Sequence, residues 1–156
     1  MLVLAVLVLL QTAPTPSGED PVAPYAMNDA NAGGLPFKGN RMLNAFHGVA
    51  GIDRIVDDLV TTNQTDPRIG DIFKGQDLIR LRRTLKEQFC VLLNGGCRYT
   101  GRDMATAHKN LGIQAKDMNA LVENLQSAMR REGVPFPAQN AFLAKLAVMK
   151  PDMVTR

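Results

Sequence analysis

The sequence predicts one all-α domain over residues 42–156. Apolar residues in this region recur at the i, i+3, i+4 and i+7 spacing of a helix, and they nowhere alternate for long as a strand requires. Hydrophobic residues make up 46% of the chain and charged residues 21%, which is typical of a globular protein. A chain of 156 residues has the mass for one core, so we expect no second domain.

The region before this domain predicts two different segments. The apolar run 2–10 within residues 1–13 would cover about half of a bilayer core, so we expect no stable membrane span. This run resembles the apolar part of a secretory signal without the usual basic leader, which leaves export to the periplasm and an inert extension of a cytoplasmic protein both open. Residues 14–41 are rich in Pro, Gly and Asn without an apolar period, and predict a flexible linker.

The first helix of the domain is predicted by a continuous apolar stripe that ends at Asp66-Pro67. A short helix ending at Phe73 follows. The stripe residues are Ile52, Ile55, Val56, Leu59 and Val60.

Two aspartates predict the starts of the next helices, because a side-chain oxygen can cap the free N–H groups of a first turn. Asp77 precedes a helix of about four turns, which ends before Asn94-Gly95-Gly96. Asp103 precedes a short helix that carries His108. Two further apolar stripes predict the last helices, one from Met118 to Met129 and one from Phe142 to Met149.

The chain lacks the motifs typical of nucleotide-binding proteins, hydrolases and several metal or redox sites. The chain has no glycine-rich phosphate loop, no Cys-x-x-Cys, no His-Glu-x-x-His and no Gly-x-Ser-x-Gly. A net charge of +3 without long cationic runs, together with the absence of Trp, gives little support for binding of nucleic acid. The chain contains only two histidines, His47 and His108, and a haem needs just one strong protein ligand because the porphyrin supplies four nitrogens.

Residues 95–108, with the sequence GGCRYTGRDMATAH, resemble the double-glycine loop and proximal helix of group I truncated haemoglobins. The resemblance continues through Ile52–Asp58, the turn at 66–69, residues 121–125 and Gly133–Pro135. It implies a two-over-two helical sandwich around haem b, held without a covalent bond and with iron bound by His108. It also implies a diatomic gas ligand, namely oxygen, nitric oxide or carbon monoxide, and an unidentified reductase as partner.

Combined with the apolar spacing, the resemblance gives a set of residues expected to line the haem. Phe73 matches a haem-stacking phenylalanine, and the helix after Asp77 would form the distal wall. The full set is Val60, Phe73, Leu81, Leu85, Phe89, Tyr99, Met104, Leu111 and Ile113. Arg82, Arg83, Arg98 and Lys109 are candidates for binding the haem propionates, and His47 is interpreted as a surface residue.

The distal side departs from the family pattern. Val60 stands where members commonly have tyrosine, and Leu81 and Leu85 stand where glutamine is frequent. Without these donors we expect rapid release of oxygen, unless Thr84 or Gln88 turns inward to replace them. We therefore do not expect the family's nitric oxide dioxygenase activity to carry over with certainty, whereas gas binding is retained. Sensing or scavenging of nitric oxide is an alternative function.

The sequence leaves two other functional interpretations open, and it does not decide whether the two cysteines form a disulfide. A second side chain such as Lys86 or a methionine would instead give a six-coordinate electron-transfer haem protein, and a core His108 would give a helical module without cofactor. Cys90 and Cys97 lie close enough in sequence for a disulfide in an oxidising compartment, or for two thiols in the cytoplasm.

Overall fold

The computed structural model describes residues 14–154, and these contain helices and loops without any β-strand. A 3₁₀ helix at Asp29–Ala32 precedes eight α-helices. They are α1 (Arg41–Ala45), α2 (Gly48–Thr65), α3 (Gly70–Phe73), α4 (Leu78–Leu92), α5 (Met104–His108), α6 (Ala115–Arg131), α7 (Phe136–Ala147) and α8 (Lys150–Met153). The all-α prediction is confirmed, and the predicted apolar segment 1–13 lies outside the described residues.

Helix α2 is the centre of the packing, since it contacts both α4 and α6, and α6 in turn packs against α7. These four long helices form two pairs, α2 with α4 and α6 with α7, which is the predicted two-over-two arrangement. Short helix α5 packs against α8 near the end of the chain. The predicted stripe on α2 is buried throughout, because each of its five apolar side chains is at most 2% exposed.

The predicted helix starts at Asp77 and Asp103 are present. The Asp77 side chain accepts a hydrogen bond from the Arg80 amide at 2.9 Å, and Asp103 accepts one from the Thr106 amide at 2.9 Å. Each bond satisfies an N–H group that has no partner within its own helix. Local sequence therefore fixes where both walls of the candidate site begin.

Three phenylalanines form the middle of the core. Phe142 of α7 lies edge-on to Phe46 and to Phe89 of α4, with ring centroids 5.0 and 4.8 Å apart. All three side chains are at most 2% exposed. This contact joins the two helix pairs through one continuous apolar cluster.

Residues 14–40, here called the N-terminal strap, differ from the predicted flexible linker because they make specific contacts along α4. Ala32 is fully buried, and the Glu19 side chain is only 1% exposed. The Phe37 amide donates to the Leu92 carbonyl at 2.8 Å. The physical reason is that single polar and small residues, rather than an apolar stripe, attach the strap, so periodicity gives no signal of it.

No helix within residues 14–154 combines the length and the hydropathy needed to cross a bilayer.

Candidate functional site

His108, at the end of α5, has the geometry of a pre-oriented metal ligand. Its Nδ1 atom lies 2.8 Å from the carbonyl oxygen of Met104, one helical turn earlier. A carbonyl can only accept, so Nδ1 carries the proton and Nε2 keeps its lone pair. Nε2 makes no hydrogen bond within the described residues and is not sealed from solvent, which leaves it available to a ligand.

Burial also favours the neutral imidazole that metal binding requires. It lowers the pKa of His108, an effect that the Met104 carbonyl opposes and the nearby Arg102 reinforces. Because a metal binds the neutral ring, this environment reduces the competition from protons.

Two cations flank this histidine without an ion pair in residues 14–154. Arg102 is half-buried in the loop before α5, and Lys109 is exposed directly after His108. The other candidates for anionic groups are already engaged: Arg82 with Asp57, Arg83 with Glu19 and Glu87, and Arg98 with Asp29. Of the four propionate candidates, only Lys109 stays available, and sequence reasoning missed Arg102.

The predicted distal wall on α4 is apolar. Leu81 and Leu85, one turn apart, are half-buried and pack against the core cluster that contains Phe89. Val60 of α2 is fully buried in the same cluster. These four side chains offer hydrocarbon surface and no hydrogen-bond donor.

Both polar residues that could have supplied a donor beside this wall are committed elsewhere. The Thr84 hydroxyl donates to the Arg80 carbonyl at 2.9 Å, within its own helix. The Gln88 amide donates to the Ala32 carbonyl of the strap at 3.0 Å and is 6% exposed. The expectation that one of them could replace the missing donor therefore receives no support from the contacts.

Met104 connects the two walls of the site. Its sulfur lies 3.3 Å from Gln88 Nε2, so α4 and α5 meet at this point. Met104 and His108 are four residues apart and thus share one face of α5. The side chain is 7% exposed and belongs to the main core.

A second group of predicted residues lies apart from the main core. Phe73 and Ile113 line one apolar cleft of about 30 Å³ together with Met118 and Leu121 of α6. The sequence predicted Met118 and Leu121 only as part of the apolar stripe of α6. That stripe was the signal that could have placed them in this cleft. Leu111 is half-buried in the loop between α5 and α6.

Tyr99 is placed as a support of the loop between α4 and α5. Its hydroxyl donates to the Arg102 carbonyl at 3.0 Å, and its side chain packs in the main core. Burial is the chief cause that raises the pKa of Tyr99 to about 12. Through its hydrogen bond to Arg102, the Tyr99 side chain stabilises the conformation of the loop just before α5.

Lys86, the candidate second ligand, points toward α2. Its Nζ atom pairs with Asp57 Oδ2 at 3.0 Å, and Arg82 binds the same carboxylate. The exposed His47 pairs with Glu132 at 3.0 Å, in agreement with its interpretation as a surface residue. Neither residue is directed to His108 by its contacts.

Cys90 and Cys97 form a disulfide with Cα atoms 5.8 Å apart. The sequence left thiols and a bridge open, and the structure has the bridge. It joins the end of α4 to the loop that leads to α5.

These residues fit an iron porphyrin, on the evidence of the donor atoms. A single imidazole whose Nδ1 is protonated and whose Nε2 has no partner within residues 14–154 would suffice for haem iron, since the porphyrin would supply four further nitrogens. The half-buried leucines of α4 supply the apolar surface, and Arg102 and Lys109 supply cations for carboxylates.

The comparisons with known proteins agree with this fit. Residues 42–155 match the family of bacterial-like globins. A group 1 truncated haemoglobin from Nostoc sp. strain MUN 8820 is 30% identical over 109 residues, which are 70% of this chain and 92% of the relative.

Solved structures show the same fold. A truncated haemoglobin from Tetrahymena pyriformis in its Fe(III) form has a TM-score of 0.70 at 23% identity, covering 74% of this chain and 98% of the other. The 2/2 haemoglobin of Synechococcus sp. PCC 7002, solved in the cyanomet state with covalently attached haem, has a TM-score of 0.66 at 21% identity, with coverage of 74% and 98%.

Proposed function

Because this chain belongs to the bacterial-like globins, and among them to the group 1 truncated haemoglobins, we propose that it is a gas-binding globin whose haem iron is held by His108. The observation that carries the proposal is the Nδ1 hydrogen bond to the Met104 carbonyl, which orients the ring and leaves Nε2 for iron. A bound ferrous haem would supply an open coordination position for oxygen, nitric oxide or carbon monoxide. An unidentified reductase would keep the iron ferrous.

The experiment is an absorption spectrum of the purified protein in ferric, ferrous and carbonyl forms. His108→Ala is expected to lose most of its haem or to change its coordination, and added imidazole should restore the wild-type bands. His47→Ala is the matched control, because it removes the only other histidine of the chain. Unchanged haem content and coordination in His108→Ala would overturn the proposal.

We propose that the cofactor is haem b, held without a covalent bond. Both cysteines are joined to each other, and the chain has no Cys-x-x-Cys-His for attachment. Apolar burial, worth about 25 cal/mol per Å², would then provide most of the retention. Extraction of all colour into acidified organic solvent is the expected result, whereas colour that stays with the protein would indicate a covalent bond.

The distal side supports fast release of oxygen. Val60, Leu81 and Leu85 present hydrocarbon surface, and they cannot donate a hydrogen bond to a ligand that carries partial negative charge. A hydrogen bond of that kind is worth about 1.5–3 kcal/mol, or roughly one to two powers of ten in rate. Carbon monoxide and nitric oxide depend less on such a donor, so their binding is expected to be less affected.

Substitution at Leu81 tests this step. Leu81→Gln should slow oxygen release by roughly ten- to a hundredfold in stopped-flow measurements, because it restores a donor on the distal wall. Leu81→Met has nearly the same volume without a donor and should release oxygen at the wild-type rate. Equal rates in the two variants would contradict the proposed effect of the apolar wall.

We also propose that the protein is exported through its apolar run 2–10. The support is the Cys90–Cys97 disulfide, since such bonds persist mainly in oxidising compartments. Cell fractionation should recover the protein outside the cytoplasm, and two arginines placed within the run should retain it inside. Recovery in the cytoplasm with both thiols reduced would contradict export.

A further inference from the structure

Residues 97–102, in the loop between α4 and α5, depend on side chains for their hydrogen bonds. Within residues 14–154, no backbone–backbone hydrogen bond involves residues 97–102. This loop leads directly into α5, which has only five residues and ends with His108. A helix this short is not stable alone, so its position depends on the groups that hold its two ends.

The N-terminal strap supplies side chains to three successive residues of this loop. Asp29 Oδ1 accepts from the Tyr99 amide at 2.8 Å. The Tyr25 hydroxyl donates to the Thr100 carbonyl at 2.6 Å, and Asn31 Nδ2 donates to the Gly101 carbonyl at 3.3 Å. The strap thereby replaces the missing backbone partners in the loop.

Helix α4 holds the same loop from its other side. Glu87 accepts from the Thr100 amide at 2.8 Å and from its hydroxyl, and the disulfide fixes Cys97. The loop therefore lies between α4 and the strap, and each contributes polar contacts that the other does not duplicate. Among the described residues 14–154, Asp29 is the one acceptor of the Tyr99 N–H.

The strap also lies directly against α5 and against Met149, the residue before α8. A Cβ atom at Gly33, which has φ of +86°, would collide with the Met149 side chain and lie 3.2 Å from Met104 Cγ. Met104 provides the carbonyl that orients His108. Support from the strap thus reaches α5 at its first residue as well as through the loop.

We infer that Asp29 and Tyr25 of the strap are positioning residues for His108. The strap lies outside residues 42–155, which match the globin family, so this support is an addition carried by this chain. The inference rests on the proposed function, because it assigns the strap a role in holding the iron ligand. Its action is indirect, through the loop 97–102 and the start of α5.

The test begins with the haem-free protein, where amide hydrogen exchange reports the loop alone. Asp29→Ala should speed exchange at Tyr99 about tenfold, the scale of one lost hydrogen bond. Asp29→Asn keeps an oxygen acceptor and should restore protection. Asp20→Ala is the matched control, because Asp20 belongs to the same strap and its carboxylate makes no hydrogen bond or ion pair with any other residue in 14–154.

The haem-loaded protein then reports His108. In Asp29→Ala and Tyr25→Phe, the iron–histidine stretching band in resonance Raman spectra should shift or broaden, and haem transfer to an acceptor apoprotein should be about tenfold faster. Asp29→Asn and Asp20→Ala should match the wild type. Unchanged exchange at Tyr99, or faster exchange with an unchanged band and unchanged haem loss, would overturn the inference.

His108→Ala separates this outcome from failure of the proposed function. If the iron–histidine band survives in His108→Ala, both the proposed function and the inference are overturned. If it disappears there while the strap variants match the wild type, the inference alone is overturned.

Discussion

The Glu19 carboxylate of the strap accepts two hydrogen bonds from the Arg83 guanidinium of α4, at 2.5 Å from Nε and 2.9 Å from Nη2. Arg80 donates to the same carboxylate at 3.1 Å. With a side chain only 1% exposed, Glu19 is a buried charge that its two arginine partners compensate. The strap is therefore fastened to the middle of α4 by charge as well as by packing.

This ion pair predicts a pH-dependent stability. The hydrogen bond from Arg83 is the chief cause that lowers the pKa of Glu19 below its ordinary value of 4.5. A lowered folded-state pKa stabilises the fold above the unfolded value, and this contribution is lost as the pH falls through the folded value. Glu19→Gln should lower the free energy of unfolding at pH 7 by about 1.5–3 kcal/mol, and the difference should shrink below about pH 4.5.

Urea denaturation at several pH values provides the measurement. Asp71→Asn is a suitable control because the Asp71–Lys74 pair is highly exposed, at 88% and 79%, and should contribute little. A Glu19→Gln deficit that does not change between pH 7 and pH 3 would refute the assignment to charge.

The aromatic cluster predicts a large loss of stability on truncation. Phe142→Ala should lower the free energy of unfolding by about 3–5 kcal/mol, because it leaves a cavity between the two helix pairs. Phe136→Ala makes the same change in the same helix at a position that is 67% exposed, and should stay within about 0.5 kcal/mol of the wild type. Chemical denaturation of both variants would contradict this view if their losses were similar.

The disulfide predicts how many thiols react and how much the bond contributes to the free energy of unfolding. The folded protein should show no reactive thiol until it is unfolded and reduced, and then two. Replacing both cysteines by serine should lower the free energy of unfolding by about 2 kcal/mol, because the closed loop no longer restricts the unfolded chain. Reductant should destabilise the wild type by the same amount and leave the stability of the double variant unchanged. Thiols that react in the folded wild-type protein would disprove the disulfide.

The commitment of Gln88 to the strap predicts that it does not assist the gas ligand. Gln88→Met should leave the rate of oxygen release unchanged, while the unpaired Ala32 carbonyl lowers the free energy of unfolding by about 1–3 kcal/mol. Thr84→Val should likewise leave the rate unchanged, since its hydroxyl donates to Arg80. Faster oxygen release in either variant, measured by stopped flow, would show that the side chain turns toward the ligand.

Local signals explain why much of the helical fold was predictable from the sequence. Asp77 and Asp103 each precede an apolar stripe, and the capping bond that they make spans only three residues. The apolar stripe of α2 is likewise a property of one helix. Such features depend on neighbours in the sequence, so periodicity and capping rules find them.

The attachment of the strap was not predictable, because its contacts join residues that are far apart in the sequence. Glu19 and Arg83 are 64 residues apart, and Asp29 and Tyr99 are 70 apart. Isolated polar residues in a segment rich in Pro and Gly carry no period that marks them as attached. The candidate site was also predictable only in part. The resemblance indicated His108, whereas the Met104 carbonyl that orients its ring and the nearby cation of Arg102 were identified only from the folded structure.

The hydrogen bond from Gln88 to the Ala32 carbonyl connects the N-terminal strap to the apolar wall of α4, and the bond from the Tyr99 amide to Asp29 connects the same strap to the loop before α5. Peeling the segment away would release an amide donor beside the leucines of α4 and, in the same event, remove the anchors of the loop before α5. A binding partner or a protease that acted on this one stretch of chain would thereby alter gas retention and iron attachment together.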